Sequence, residues 1–87
     1  MKTIVDWIQV MTDRIVTQFS PEQVILFGSQ ARGSAGNRSD VDLLVVLPTI
    51  TDRREEAIRI RQALADLPVA KDIFVTTIQT KNIYIHI

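Results

Sequence analysis

The sequence has no cysteine, few aromatic residues and no excess of either charge. Without cysteine, its 87 residues can form neither disulfides nor thiolate metal sites, and they contain no thiol nucleophile. The ten acidic and ten basic side chains cancel, so we expect no strong nucleic-acid binding, which depends on clustered Lys and Arg. The length predicts a single domain, residues 1–87, with a thin core.

Long hydrophobic runs are also missing at the start of the chain. The segment "MKTIVDWIQVMTDR" is interrupted by Asp6, Gln9 and Asp13. Secretory signals and membrane spans need a continuous apolar stretch, so this segment is predicted to be neither. We therefore expect a cytoplasmic protein that does not contact membranes.

Helical periodicity occurs in two segments. The first, residues 3–19, has apolar residues at three- and four-residue spacing, namely Ile4, Ile8, Met11, Ile15 and Phe19. The second follows Asp52, a predicted N-cap with Glu55 three residues later, and is expected to end at Pro68. Its predicted buried stripe is Ala57, Ile60, Ala63, Leu64 and Leu67.

Short apolar runs predict the strands. "QVILFGS" stops at a glycine turn, "VDLLVVLP" (41–48) stops at a proline, and "KDIFVTTI" (71–78) is the third run. The tail "KNIYIHI" alternates strictly and predicts a half-buried fourth strand. The order helix, strand, strand, helix, strand, strand predicts a small α/β (α+β) fold, a β-sheet with helices packed on it.

Candidate chemistry is concentrated in "FGSQARGSAGNRSDVDL" (27–43). Asp40 and Asp42 are two residues apart, so in a strand they share one face at about 6–7 Å. If Asp72, at the start of the third predicted strand, lies beside them, three carboxylates converge. Each close pair then costs about 3 kcal/mol at an effective dielectric near 20. Such a cluster needs cationic partners or a metal.

Two explanations of this cluster stay open from the residues alone. In the first, Arg38 or Arg32 pairs with the aspartates and the loop is only a turn. In the second, the carboxylates hold Mg²⁺, which favours a few carboxylates together with waters and substrate phosphates. The Gly28-Ser29 turn then offers close backbone approach, amide donors and a hydroxyl to those phosphates.

The same stretch resembles the signature of the DNA polymerase β-like nucleotidyltransferase superfamily. That signature begins with an apolar residue, then a Gly, then a position that is Gly or Ser. After a spacer of about ten residues come an Asp, an apolar residue, a position that is Asp or Glu, and a final apolar residue. The matching positions are Phe27, Gly28, Ser29, Asp40, Val41, Asp42 and Leu43. "GSQARG" and the short chain are similar to the minimal nucleotidyltransferases in particular. The resemblance implies that family's mixed-sheet fold.

Roles for individual residues follow from this resemblance. Asp40 and Asp42 would bind two Mg²⁺ ions that bridge the triphosphate and the attacking hydroxyl. Asp72 would share one ion and help to deprotonate the nucleophile. Gly28 and Ser29 would bind the β- and γ-phosphates of ATP, with Arg32 as an auxiliary cation. Together with Asp40, Asp42 and Asp72, these three residues form the candidate site.

The resemblance also implies a partner. Minimal nucleotidyltransferases are usually paired with a HEPN-type toxin, and the family picture is an antitoxin that transfers AMP from ATP to a toxin tyrosine. One alternative is a binding module that neutralises its partner by contact, for which the tail and the cationic set Arg53, Arg54, Arg59 and Arg61 offer surfaces. Another is transfer to a small molecule such as an aminoglycoside, although such enzymes generally carry an additional substrate domain.

The C-terminal segment departs from the family pattern. Family members commonly continue past the third carboxylate-bearing strand into a further helix, whereas here "QTKNIYIHI" follows. The missing helix would uncover part of the sheet, so we expect self-association or dependence on a partner. Trp7, Tyr84 and His86 are interpreted as packing or surface residues.

Overall fold

In the computed structural model, the chain is described over residues 2–32 and 40–78. These ranges form α1 (Ile4–Phe19), β1 (Gln23–Phe27), α2 (Gly28–Arg32), β2 (Val41–Leu47), α3 (Arg53–Ala63) and β3 (Lys71–Thr77). The predicted tail strand, Arg38, Tyr84 and His86 lie outside the described residues. Of the helices just given, none has the length and apolar character needed to cross a membrane.

The sheet has β2 at its centre, with β1 antiparallel on one side and β3 parallel on the other. The predicted mixed sheet is therefore confirmed. Parallel neighbours need a crossover connection, and α3 provides it between β2 and β3. The register aligns Leu26 with Leu43, and Leu43 with Ile73, so apolar side chains form one continuous face.

Helix α1 is closed at both ends by local hydrogen bonds. At its start, the Thr3 hydroxyl accepts from the Asp6 amide at 3.2 Å, and the Asp6 carboxylate accepts from the Thr3 amide at 2.9 Å. At its end, Ser20 adopts a left-handed conformation (φ 48°), and its amide donates to the Val16 carbonyl at 3.2 Å. Pro21 disfavours a right-handed helical conformation at Ser20, so the predicted end of the helix is confirmed.

Helix α3 begins as predicted and ends earlier. The Asp52 carboxylate accepts from the Glu55 amide at 3.1 Å, which confirms the N-cap. The prediction that the helix continues to Pro68 is wrong, because α3 ends at Ala63. The reason is tertiary: Arg14 of α1 donates to the Ala63 carbonyl at 2.8 Å, where a further helical turn would otherwise supply the donor.

The hydrophobic core lies between one face of the sheet and the helices α1 and α3. After Ala63 the chain turns, and Leu64 and Leu67 both become buried. The largest fully buried side chains are Met11, Ile15, Leu43, Ile60, Leu64, Ile73, Val41 and Val45. The second face of the sheet carries the alternate residues of each strand, and this face holds the candidate site.

Candidate active site

Asp42 and Asp72 lie side by side near the N-terminal ends of two parallel strands. They are Cα partners in the register of β2 and β3, and neighbouring strands are about 4.8 Å apart. Val41 and Leu43, on either side of Asp42, are buried in the core, so the alternation of a strand directs Asp42 to the second face. The structure therefore brings together two of the three predicted carboxylates.

Gly28 lies against Asp42. It is the first residue of α2 and follows Phe27, the Cα partner of Asp42 in β1. Its φ of +76° is a conformation that glycine adopts readily and other residues rarely. A Cβ at this position would clash with Oδ2 of Asp42 and would lie 3.3 Å from its Cγ. The turn after β1 thus needs glycine so that the Asp42 carboxylate has space.

The remaining predicted site residues are only partly described. Asp40 is exposed and lies just outside β2, two residues ahead of Asp42. Among the described residues, Asp40 does not form with Asp42 and Asp72 a group of three carboxylates that could hold a metal ion, so its role as a third ligand stays a prediction. Ser29 and Arg32 belong to α2, and the structure does not describe their side chains, so their contacts with phosphate also stay predictions.

The salt-bridge explanation stays open, because it depends on two arginines whose side chains the structure does not describe. The ion pairs found in residues 2–32 and 40–78 are Arg14–Asp66 and Arg59–Glu56. Neither includes Asp42, Asp72 or Asp40. Arg38 lies outside the described residues, and the Arg32 side chain is not described.

Lys71 precedes Asp72 in the sequence but donates elsewhere. Its ammonium donates to the carbonyls of Val69 at 2.8 Å and Leu67 at 3.1 Å. These bonds satisfy backbone acceptors in the turn between α3 and β3. They also hold the first residue of β3 in place, which positions the Asp72 backbone beside Asp42.

The carboxylates fit a metal that arrives with its substrate. Across residues 2–32 and 40–78, no group of three or more His, Cys, Asp or Glu side chains could hold a metal ion by itself. Asp42 and Asp72 offer only oxygen donors, which suit a hard cation such as Mg²⁺. Proteins commonly bind Mg²⁺ through one or two carboxylates, while waters and substrate phosphates complete its coordination. Two adjacent carboxylates on an open face meet that requirement.

An aromatic pair, which the sequence pattern does not predict, lies on the same face of the sheet. The rings of Phe27 and Phe74 have centroids 5.5 Å apart and planes inclined at 56°. The two side chains are 38% and 48% exposed, respectively. One sequence feature could have predicted the position of Phe74: it is two residues from Asp72, so both lie on one face of a strand. The carboxylates therefore lie beside an exposed apolar surface.

Comparisons with known proteins cover the strands and the helices that form the candidate site. A family model described as "Nucleotidyltransferase domain" matches residues 10–85. A solved structure described as a "putative nucleotidyltransferase from Sulfolobus solfataricus" superposes with a TM-score of 0.69 and 21% identity, over 91% of this chain and 71% of that chain. At this identity the likeness concerns the fold alone. No curated protein matches the sequence.

Proposed function

The chain belongs to the nucleotidyltransferase domain family, and from this premise we propose that it is a magnesium-dependent adenylyltransferase that uses ATP. The observation that carries the proposal is the register of Asp42 and Asp72, two adjacent carboxylates on an open face of the sheet. The proposed acceptor is a tyrosine hydroxyl of a HEPN-type toxin. The protein would then be an antitoxin, acting in the cytoplasm as a single domain, residues 1–87.

The proposed reaction forms one bond and breaks one. The acceptor oxygen attacks the α-phosphorus of ATP, the bond between the α-phosphorus and its bridging oxygen breaks, and pyrophosphate leaves. AMP remains on the acceptor, and the hydroxyl proton passes to Asp72. Asp40, Asp42 and Asp72 are the residues that would hold the two Mg²⁺ ions. When bound, the ions neutralise the phosphate charge and make the hydroxyl more acidic.

Gly28, Ser29 and Arg32 complete the proposed nucleotide site. The main chain at Gly28 lies so close to Asp42 that a Cβ there would clash with its carboxylate, and this turn is proposed to bind a phosphate of the nucleotide. The amide and hydroxyl of Ser29 are proposed donors to the β- and γ-phosphates. Arg32 is proposed to add charge to the same phosphates.

The activity is tested with purified protein, α-labelled ATP, Mg²⁺ and the HEPN-type partner. We expect label on the partner, and a loss of about 100-fold or more for Asp72→Asn, because general base catalysis contributes about that much. Asp66→Asn is the matched control, since Asp66 pairs with Arg14 away from the site. If the partner stays unlabelled while Asp40→Asn still neutralises the toxin, the enzymatic proposal fails.

Metal binding has a readout that does not need the acceptor. A ligand that binds only the folded state at ten times its Kd raises the free energy of unfolding by about 1.4 kcal/mol. We expect Mg²⁺ with a non-hydrolysable ATP analogue to raise it for the native chain and for Asp66→Asn, but not for Asp42→Asn. Equal stabilisation of all three at matched ionic strength would contradict a site at Asp42.

Neutralisation by contact is the second candidate function. It is favoured by the outer edge of β3, which in the described part of the chain has no strand beyond it. Asp42→Asn separates the candidates: neutralisation should be lost if AMP transfer is the mechanism, and it should be kept if contact alone neutralises the partner.

A further inference from the structure

The outer edge of β3 presents backbone groups that the described sheet does not use. β3 is the last strand of that sheet, with β2 on its inner side. The Val41 amide of β2 donates to the Ala70 carbonyl at 2.9 Å. In a parallel ladder, every second residue of a strand bonds to the same neighbouring strand. Counting from Ala70, the β3 residues that bond to β2 are therefore Asp72, Phe74 and Thr76. The N–H and C=O groups of Ile73 and Val75 consequently face outward.

Arg61 is consistent with this orientation. From α3, its guanidinium donates to the Ile73 carbonyl at 3.4 Å. This distance is longer than the usual 2.7–3.2 Å for N–H···O bonds, and a carbonyl oxygen can accept a second donor. The Ile73 carbonyl can therefore accept from a further strand.

Basic side chains are concentrated beside this edge. A shallow groove of about 550 Å³ between α3 and β3 is lined by Arg53, Arg54 and Arg61 together with residues 73–75. None of the described residues that line it is acidic. The acidic residues at the start of α3 border a separate pocket with Arg59. The three arginines give this groove a positive charge, although the chain as a whole is neutral.

We propose that β3 with Arg53, Arg54 and Arg61, here called the arginine edge, binds an extended acidic segment of a partner protein as an additional strand. The backbone of the segment would bond to Ile73 and Val75, and its acidic side chains would face the arginines. A single-stranded nucleic acid could use the arginines and accept from the outward amides, but it has no peptide backbone to pair with both the amides and the carbonyls of a strand. Binding here does not require nucleotidyl transfer, so the proposal goes beyond the proposed activity and can be tested without it.

The arginine edge also leads towards the carboxylates. Arg61 contacts the carbonyl of Ile73, the residue after Asp72. Arg53 lies eight residues earlier in α3, which corresponds to about 12 Å along a helix. A bound segment of about four extended residues would span this distance. The end of the bound segment nearest Arg61 would then lie close to Asp72. The next residue of the segment could be the acceptor.

Charge recognition is tested with a fluorescein-labelled probe of four Glu-Thr repeats, added to the full chain at low ionic strength. Fluorescence anisotropy should report binding that weakens about fivefold or more in Arg53→Gln/Arg54→Gln, given the usual strength of exposed ion pairs. Arg59→Gln is the matched control because Arg59 is exposed on the same helix but does not line the groove. Absence of binding, or equal weakening by Arg59→Gln, would overturn the proposal.

Strand addition is tested with the same probe methylated at every backbone nitrogen. We expect the methylated probe to bind at least about tenfold more weakly, because it keeps the charges and loses its backbone donors. Amide resonances of Ile73 and Val75 should shift with the unmodified probe and exchange more slowly. Equal binding of both probes would overturn the proposal. So would slow exchange of these amides before any probe is added, or binding of oligouridylate in place of the peptide.

Discussion

Gly28 and Asp42 act as one unit. The turn after β1 places the Gly28 main chain where a side chain would occupy the position of the Asp42 carboxylate. The positive φ of Gly28 adds a second reason for glycine at this position. Position 28 therefore requires glycine because of the neighbouring Asp42 carboxylate, whether or not a phosphate binds at this turn.

Gly28→Ala is expected to lower the free energy of unfolding by about 1–3 kcal/mol, because it combines backbone strain with a steric clash. Urea denaturation followed by circular dichroism measures this loss. Ala31→Gly is the control substitution in the same helix, where Ala31 is exposed, and it should cost at most about 1 kcal/mol.

A double-mutant cycle separates the two causes. In an Asp42→Ala background the clash is removed while the strain at φ +76° remains. The cost of Gly28→Ala should then fall by about 0.5 kcal/mol or more, the lower limit for residues in direct contact. An unchanged cost in that background would contradict the proposed steric coupling.

Arg14 links α1 to the end of α3. Nη1 of Arg14 donates to the Ala63 carbonyl at 2.8 Å and to the Asp66 carboxylate at 2.6 Å. The hydrogen bond from Arg14 holds the pKa of Asp66 below its ordinary value. The Thr3 amide and hydroxyl likewise lower the pKa of Asp6 at the start of α1. The contacts of α1 at Thr3 and at Arg14 therefore each favour the ionised form of a carboxylate in the folded state.

The Asp66 contact predicts a pH-dependent stability. Because its folded-state pKa is lowered, its contribution is fully present above the unfolded-state pKa, about 4. The contribution is lost as pH falls from there through the lower folded-state value. The stability difference between the native chain and Arg14→Met should therefore be larger at pH 7 than at pH 3. Urea denaturation at both pH values measures it.

Asp66→Asn is the control for that prediction. It removes the titrating group and leaves the Arg14–Ala63 hydrogen bond available. In this background, the effect of Arg14→Met should vary less between pH 7 and pH 3. Because Asp6 also has a lowered pKa, only the difference between the paired variants isolates Asp66. If the stability difference between the native chain and Arg14→Met were larger at pH 3 than at pH 7, the assignment of the pH dependence to Asp66 would be contradicted.

The elements were largely predictable, and their ends were less so. The stripe that includes Met11 and Ile15 predicts α1 correctly, because burial of one face imposes the helical period. Pro68 misleads about the end of α3, because that end is set by Arg14, which is distant in the sequence. A local pattern contains no information about such a contact.

For the molecule as a whole, stability depends on one core between the sheet and two helices. Ile60 is fully buried at its centre with Met11 and Ile15. Ile60→Ala should cost about 2–5 kcal/mol, a large part of the roughly 5–15 kcal/mol available to a domain. Ile60→Val is the conservative control and should cost about 0.5–1.5 kcal/mol. Thermal and urea unfolding of the three proteins would measure both, and similar costs would contradict this placement of the core.

The sequence was sufficient to predict which residues form the candidate site, but not which of them become neighbours in the fold. The spacing of Asp40 and Asp42 and the strand start at Asp72 identify candidate carboxylates. Their register is a tertiary property, set by the pairing of β2 with β3 through a crossover. The same holds for the contact of Phe27 with Phe74, which joins β1 to β3 across the central strand. No local period encodes which residues become neighbours across strands.

The register of Asp42 with Asp72 has a consequence for folding kinetics. The two residues are thirty positions apart in the sequence, and they meet only when the crossover through α3 has closed. Such non-local pairings are slow steps, because the entropy of loop closure is lost before the contact forms. An intermediate that has formed α1, β1 and β2 would hold only one member of the pair. The proposed binding of magnesium nucleotide should therefore slow unfolding and leave the early folding steps unchanged.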